Sequence, residues 1–194
     1  MNKRQELAMQ TREKLINSAK KVIIEKGYNE TSIEDITKEA KVATGTFYTY
    51  FKAKEDIISA LGFPNFEKLK ETTLKMNESV DKKLKYYFKE FMELIEEYDI
   101  EICRQWTIYN ISPKGIDKIG FDTDTVNDIL KLSVQKGELS KNTPINELTH
   151  FIVSELYGMM LNWCMSNKTF EPLEYCDKFS DFVNDILKKY IIKN

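Results

Sequence analysis

Apolar residues recur at steps of three and four along most of this chain, and that period selects helices. Leu15, Ile16, Ala19, Val22 and Ile23 form one stripe. Val80, Leu84, Tyr87, Phe88, Phe91 and Ile95 form a second, and Ile102, Cys103, Trp106 and Tyr109 a third. Val126, Ile129, Leu130 and Val134 follow, then Leu148, Phe151, Ile152, Met159, Met160 and Trp163. The last stripe holds Phe179, Phe182, Val183, Ile186, Leu187 and Tyr190. Only 4 prolines and 7 glycines punctuate 194 residues, too few for many short strands and their turns. The pattern predicts an all-α fold of about nine helices.

Local signals divide the first third finely. Gly27 is placed to stop the first helix, with Tyr28 packing back under its end. Ser32 and Asp35 have the spacing of a capping box, with aspartate as a shorter variant of the usual glutamate. Ile33, Ile36 and Ala40 then give about two helical turns. Lys41-Val42-Ala43 reads as a turn before a second short helix with Phe47, Tyr50 and Phe51 inward. Two short helices joined by such a turn form a helix-turn-helix. Lys54-Glu55-Asp56 opens a longer helix through Ile57, Ile58 and Leu61, which Pro64 is expected to kink or break. The domain boundary is expected in this segment, giving residues 1–60 and 61–194. Further on, 114–121 reads as a loop with Gly115 and Gly120, and Gly137 as a helix stop. Thr143-Pro144 fits an N-cap followed by proline at the first helical position.

Charge is uneven. Residues 1–55 hold 11 Lys/Arg and 8 Asp/Glu, a net of +3, and the remainder holds 18 and 23, a net of −5. The positive end is the one suited to a phosphate backbone. No apolar h-region follows the first charges, and no apolar run is long enough for a membrane span. Cys103, Cys164 and Cys176 fall at no zinc spacing, so buried thiols in a reduced, cytoplasmic chain are expected. His150 is the sole histidine, and no phosphate-binding glycine loop appears. Neither catalysis nor a metal or cofactor is expected.

Residues 11–61 resemble the DNA-binding domain of the TetR family of transcriptional regulators. The resemblance rests on Thr11-Arg12, Ala19, Gly27-Tyr28, Thr31-Ser32-Ile33, Asp35-Ile36, Ala40, Val42, Gly45-Thr46-Phe47-Tyr48, Tyr50-Phe51 and Lys54-Glu55. The family commonly has Ser-Lys where this chain has Ala43-Thr44. That removes a side-chain cap at Ala43 and one possible DNA contact, so the operator sequence does not carry over by analogy. The second helix of a helix-turn-helix enters the major groove. The expected DNA contacts are therefore Thr44, Gly45, Thr46, Tyr48 and Thr49, with Lys54 on phosphate and Thr31 and Ser32 as caps that also reach phosphate. Replacing Lys54 by alanine would then flatten the salt dependence of DNA binding and leave the fold intact.

The resemblance also implies a C-terminal helical domain that binds a small molecule and dimerises. The last two helices are the expected homodimer surface, and two recognition helices would read a palindromic DNA operator. Candidate pocket residues are Phe88, Phe91, Met92, Cys103, Trp106, Tyr109, Phe151, Tyr157, Met160 and Trp163. The implied mechanism is repression relieved by a small-molecule effector. The alternatives are a protein partner in place of that effector, constitutive binding, or activation.

Overall fold

The structure, a computed structural model, describes residues 2–113, 117–166 and 169–192, with the side chains of 62–64 outside the description. Its helices are α1 (Lys3–Lys26), α2 (Ile33–Glu39), α3 (Thr44–Tyr50), α4 (Lys54–Lys75), α5 (Val80–Glu97), α6 (Ile100–Ile111), α7 (Lys118–Gln135), α8 (Ile145–Met165) and α9 (Pro172–Leu187). The all-α expectation with nine helices holds among the described residues. No helix among them is long and apolar enough to cross a membrane.

Two compact units emerge, Met1–Pro64 with Tyr98–Ile116, and Asn65–Glu97 with Asp117–Asn194. A division at residue 60 assigns α6 to the C-terminal part, but α6 packs on α1 and clusters with the N-terminal unit. Helix α4 runs unbroken through Pro64, so the expected break is absent. It gives its first half to one unit and its second half to the other.

In the N-terminal unit the core is Leu15, Ala19 and Ile23 of α1, Ile36 of α2, Phe47 of α3 and Ile57 of α4, all fully buried. Burying such a side chain stabilises by about 1.5–3 kcal/mol, which holds α2 and α3, two short helices too small to stand alone. Gly27 ends α1 at φ 83 and ψ 154, a backbone region open essentially to glycine. Ser32 and Asp35 form the full reciprocal capping box. The Lys26 ammonium and the Ser32 N–H and hydroxyl hold the Asp35 carboxyl below the usual range. Lys41 takes the left-handed conformation at φ 52. It lets the Val42 N–H reach back to the Thr37 carbonyl at 3.0 Å and turns the chain into α3.

In the C-terminal unit α5 packs on α7, α8 and α9, and α8 packs on α7 and α9. Phe88 of α5 meets Phe179 of α9 with ring centroids 5.0 Å apart. Two details depart from the sequence reading. Helix α7 begins at Lys118, inside the expected loop, because the Asp117 side chain accepts from the Gly120 N–H at 2.8 Å and caps it. The expected loop residues 114–116 lie outside the described residues. Helix α8 begins at Ile145, one residue after Pro144, and the Thr143 hydroxyl donates backward to the Ser140 carbonyl at 2.7 Å instead of capping. Gly137, at φ 73, follows the end of α7 as expected.

Candidate nucleic-acid interface

Helix α3 is positioned from its inner side. Phe47 is fully buried and stacks on Phe51 with centroids 5.4 Å apart, and the Arg12 guanidinium covers Phe51 at 5.4 Å. With that side fixed, helical phase turns Thr44, Gly45, Tyr48 and Thr49 outward. All four are exposed, Tyr48 to 58%, and Thr46 is half-buried. Tyr48 keeps its ring edge against Phe47 at 5.6 Å, so an aromatic side chain stands on the surface with its base held.

The backbone of this face is accessible. A Cβ built on Gly45 meets nothing within 4 Å, so Gly45 is not required by packing inside the protein. Ala43 provides no side-chain cap for α3, as its methyl group dictates. Thr44 does not replace it: its hydroxyl lies 3.5 Å from that of Thr37. Lys38, Lys41 and Lys52 are exposed on or beside the two short helices.

Thr31 and Lys54 sit differently from expectation, and Ser32 takes the capping role expected of it. Thr31 is 2% exposed and its hydroxyl donates to the Gly27 carbonyl at 2.8 Å. Its side chain belongs to the α1–α2 connection and not to the surface. The Ser32 hydroxyl and N–H are both taken by Asp35, so Ser32 acts as the cap. Lys54 points inward: its ammonium donates to the carbonyls of Tyr28 and Thr31, each at 2.8 Å, and lies 4.1 Å from the Tyr28 ring centre. It ties the start of α4 to the α1–α2 connection. Burial, with Glu55 nearby, pushes the Tyr28 hydroxyl up to about 12. A lone lysine at a helix start carries no sign in sequence of whether its amine faces DNA or a loop carbonyl.

Residues 15–61 match the family model described as bacterial regulatory proteins, tetR family. Over these residues the chain carries the DNA-binding domain of the TetR family. It is a DNA-binding transcriptional regulator with the family's helix-turn-helix in α2 and α3. Over most of its length it is also similar to the fatty acid metabolism regulator protein of Bacillus subtilis, 26% identical over 166 residues that cover 81% of this chain and 85% of that protein. Among solved structures, FadR of Bacillus subtilis, determined in complex with stearoyl-CoA, superposes with a TM-score of 0.67 at 21% identity, covering 88% of this chain and 96% of that one. A TetR-family regulator from Pectobacterium atrosepticum superposes with a TM-score of 0.70 at 16% identity, covering 100% and 99%. At these identities the two structures establish the shared fold.

The ten residues expected to line one pocket are not gathered in one unit. Cys103, Trp106 and Tyr109 sit on α6 in the N-terminal unit, and the other seven belong to the C-terminal unit. Phe88, Phe91, Met92 and Met160 are core, each 1% exposed or less. Phe151 is 39% exposed and leans outward against Phe179 and Phe182 of α9, because the packing of α8 on α7 puts position 151 on the far side. A cleft of about 440 Å³ in the C-terminal unit, between α4 and α5, is lined by none of the ten. The sequence reading missed the most polar part of this core, Lys118 and Asp122 with Tyr87 beside them. Lys118 and Asp122 stand four apart on α7, the spacing of a helical ion pair, but 118–121 did not read as helix.

Proposed function

We propose that this regulator is a repressor that binds a palindromic DNA operator as a homodimer and leaves it when a small molecule binds the C-terminal unit. The reading rests on the outer face of α3, where Thr44, Gly45, Tyr48 and Thr49 are exposed on a helix whose inner side is fully packed. A preformed helix of this kind fits the major groove, where threonine methyl and hydroxyl groups and a tyrosine hydroxyl can meet bases and phosphate. Thr46, half-buried beside them, completes the proposed contact set.

Dimerisation through the last two helices is supported by apolar side chains left uncovered there. Phe151, Leu161 and Met165 of α8 and Tyr175 and Phe182 of α9 are 37–70% exposed. The rings of Phe151 and Phe182 lie 5.9 Å apart, so the two helices share one apolar face. A face of this kind on a soluble fold fits a second copy related by two-fold symmetry. Two recognition helices would then read half-sites about one helical turn apart, ~34 Å, or a multiple of it. An effector with an apolar part is supported by the similarity to a fatty acid metabolism regulator over most of both chains. A coupling of about 1–3 kcal/mol between effector and operator suffices for release.

Gly45→Ala separates DNA contact from folding. In the free protein the added methyl group enters open space. Alanine also gains up to about 1 kcal/mol of helix propensity, so the midpoint of urea unfolding should hold or rise. Against DNA the methyl group enters the closest backbone approach, and operator affinity should fall roughly tenfold or more. Fluorescence anisotropy with an operator fragment reads the second quantity. A stable variant with unchanged affinity would remove α3 from the contact surface.

A further inference from the structure

The C-terminal unit holds a buried ion pair in aromatic surroundings. Lys118 is 1% exposed and Asp122 is fully buried, and the Lys118 ammonium donates to both carboxylate oxygens of Asp122. The same ammonium lies 3.9 Å from the ring centre of Phe66 on α4, 5.2 Å from Phe121 on α7 and 5.4 Å from Phe91 on α5. Three ring faces and one carboxylate form the kind of cage that recognises an ammonium ion.

Parts of the cage differ in what holds them. Asp122 is fixed independently of Lys118, since Tyr87 of α5 donates to one carboxylate oxygen at 3.1 Å and Tyr157 of α8 to the other at 2.9 Å. Phe66 and Phe91 are fixed by stacking on each other at 5.1 Å. The occupant, by contrast, is a single flexible side chain from the first residue of α7, flanked by exposed Asp117 and Ile119. Burial pulls the Lys118 amine down to about 8, against the pull of Asp122, so the cation is held there against a substantial desolvation cost.

We propose that this cage is the effector-recognition site, that Lys118 fills it in the free protein, and that the effector is a linear alkylammonium cation whose head group displaces the Lys118 ammonium. The proposal rests on the ligand-released reading above and specifies the ligand's class. Charge balance selects a cation. Exchange of one ammonium for another leaves Asp122 neutralised, whereas an entering anion would face Asp122 and the negative faces of three rings. The four-carbon stem of Lys118 sets the shape, an unbranched chain leading to the head group. Because Phe66, Tyr87, Phe121 and Tyr157 come from four helices, exchange of the occupant bears on how all four pack.

Decylammonium, below its micelle concentration, tests this on the full-length protein by titration calorimetry, with decanoate and decan-1-ol as anionic and neutral counterparts. Decylammonium should bind at one site per chain and bind tightest of the three. Asp122→Asn keeps the tyrosine partners and removes the charge, so its affinity for decylammonium should fall roughly tenfold or more. Phe121→Leu removes one half-buried ring face and should cost about threefold. If Asp122→Asn does not fold, Phe121→Leu alone decides. The proposal is overturned if decanoate or decan-1-ol binds more tightly, or if decylammonium binding is absent or indifferent to the folded variants. Operator affinity in the same samples is a separate readout. Cation binding at the cage with operator affinity unchanged would keep the site and remove the ligand-released reading, and release by decanoate alone would do the reverse.

Discussion

Replacing Asp122 by alanine is expected to lower the stability of the protein by about 3–5 kcal/mol. The loss is large because three donors converge on one carboxylate. Without it the buried Lys118 ammonium has no counter-charge, and the Tyr87 and Tyr157 hydroxyls lose their acceptor. Burial, the largest cause, holds both hydroxyls above the ordinary phenol range and persists in the variant, so neither ionises to take its place. Lys118→Met should cost less, because the carboxylate keeps two hydroxyl donors. The double variant Lys118→Met with Asp122→Asn removes both charges and keeps a polar group for the tyrosines. It should recover much of the Asp122→Ala loss, since a neutral, filled core avoids the desolvation of two ions. Urea unfolding of the four proteins measures this. Equal stability of wild type and Asp122→Ala would show that the pair is not buried as described.

Lys54→Ala is expected to cost about 2–3 kcal/mol, from two charge-assisted hydrogen bonds to backbone carbonyls and one ammonium–ring contact. A surface lysine that only touched phosphate would leave stability within about 0.5 kcal/mol. The DNA readout distinguishes the two roles more sharply. A lost phosphate contact lowers the slope of log affinity against log salt by roughly one. An inward lysine leaves that slope unchanged, and any weakening comes through a loosened α1–α2 connection. Lys54→Met, which keeps most of the stem, should lose nearly as much stability, because the ammonium carries the bonds. A flattened slope with unchanged stability would return Lys54 to the DNA surface.

These two sites mark where the sequence was legible and where it was not. The helix-turn-helix is written locally. Gly27 stops a helix because its backbone conformation admits essentially glycine, Ser32 and Asp35 cap each other three residues apart, and Phe47 and Phe51 share one side. Each signal spans less than two helical turns, so the outward face of α3 followed directly by phase. The direction of Lys54 depends on carbonyls 23 and 26 residues away, and no local rule reaches them. The cage around Lys118 is less local still. It needs rings from α4, α5 and α7 and a hydroxyl from α8, and its helical spacing lay in a stretch whose two glycines read as loop. The ten expected pocket residues fall in both units for a related reason: an amphipathic stripe tells which residues avoid water, but not which neighbour they share. Phe151 and Phe88 belong to comparable stripes, yet one leans outward on α8 and the other is sealed beneath α9.

The central claim, sequence-specific DNA recognition through α3 by a dimer, is tested most directly by incubating the full-length protein with fragmented genomic DNA and sequencing what it retains. Enrichment of fragments that share an inverted repeat is expected, with half-site centres about one helical turn (~34 Å) or a multiple of it apart. Gly45→Ala should lose that enrichment while unfolding at wild-type urea concentration or above. Retention of fragments with no common repeat, or the same enrichment from Gly45→Ala, would contradict the account.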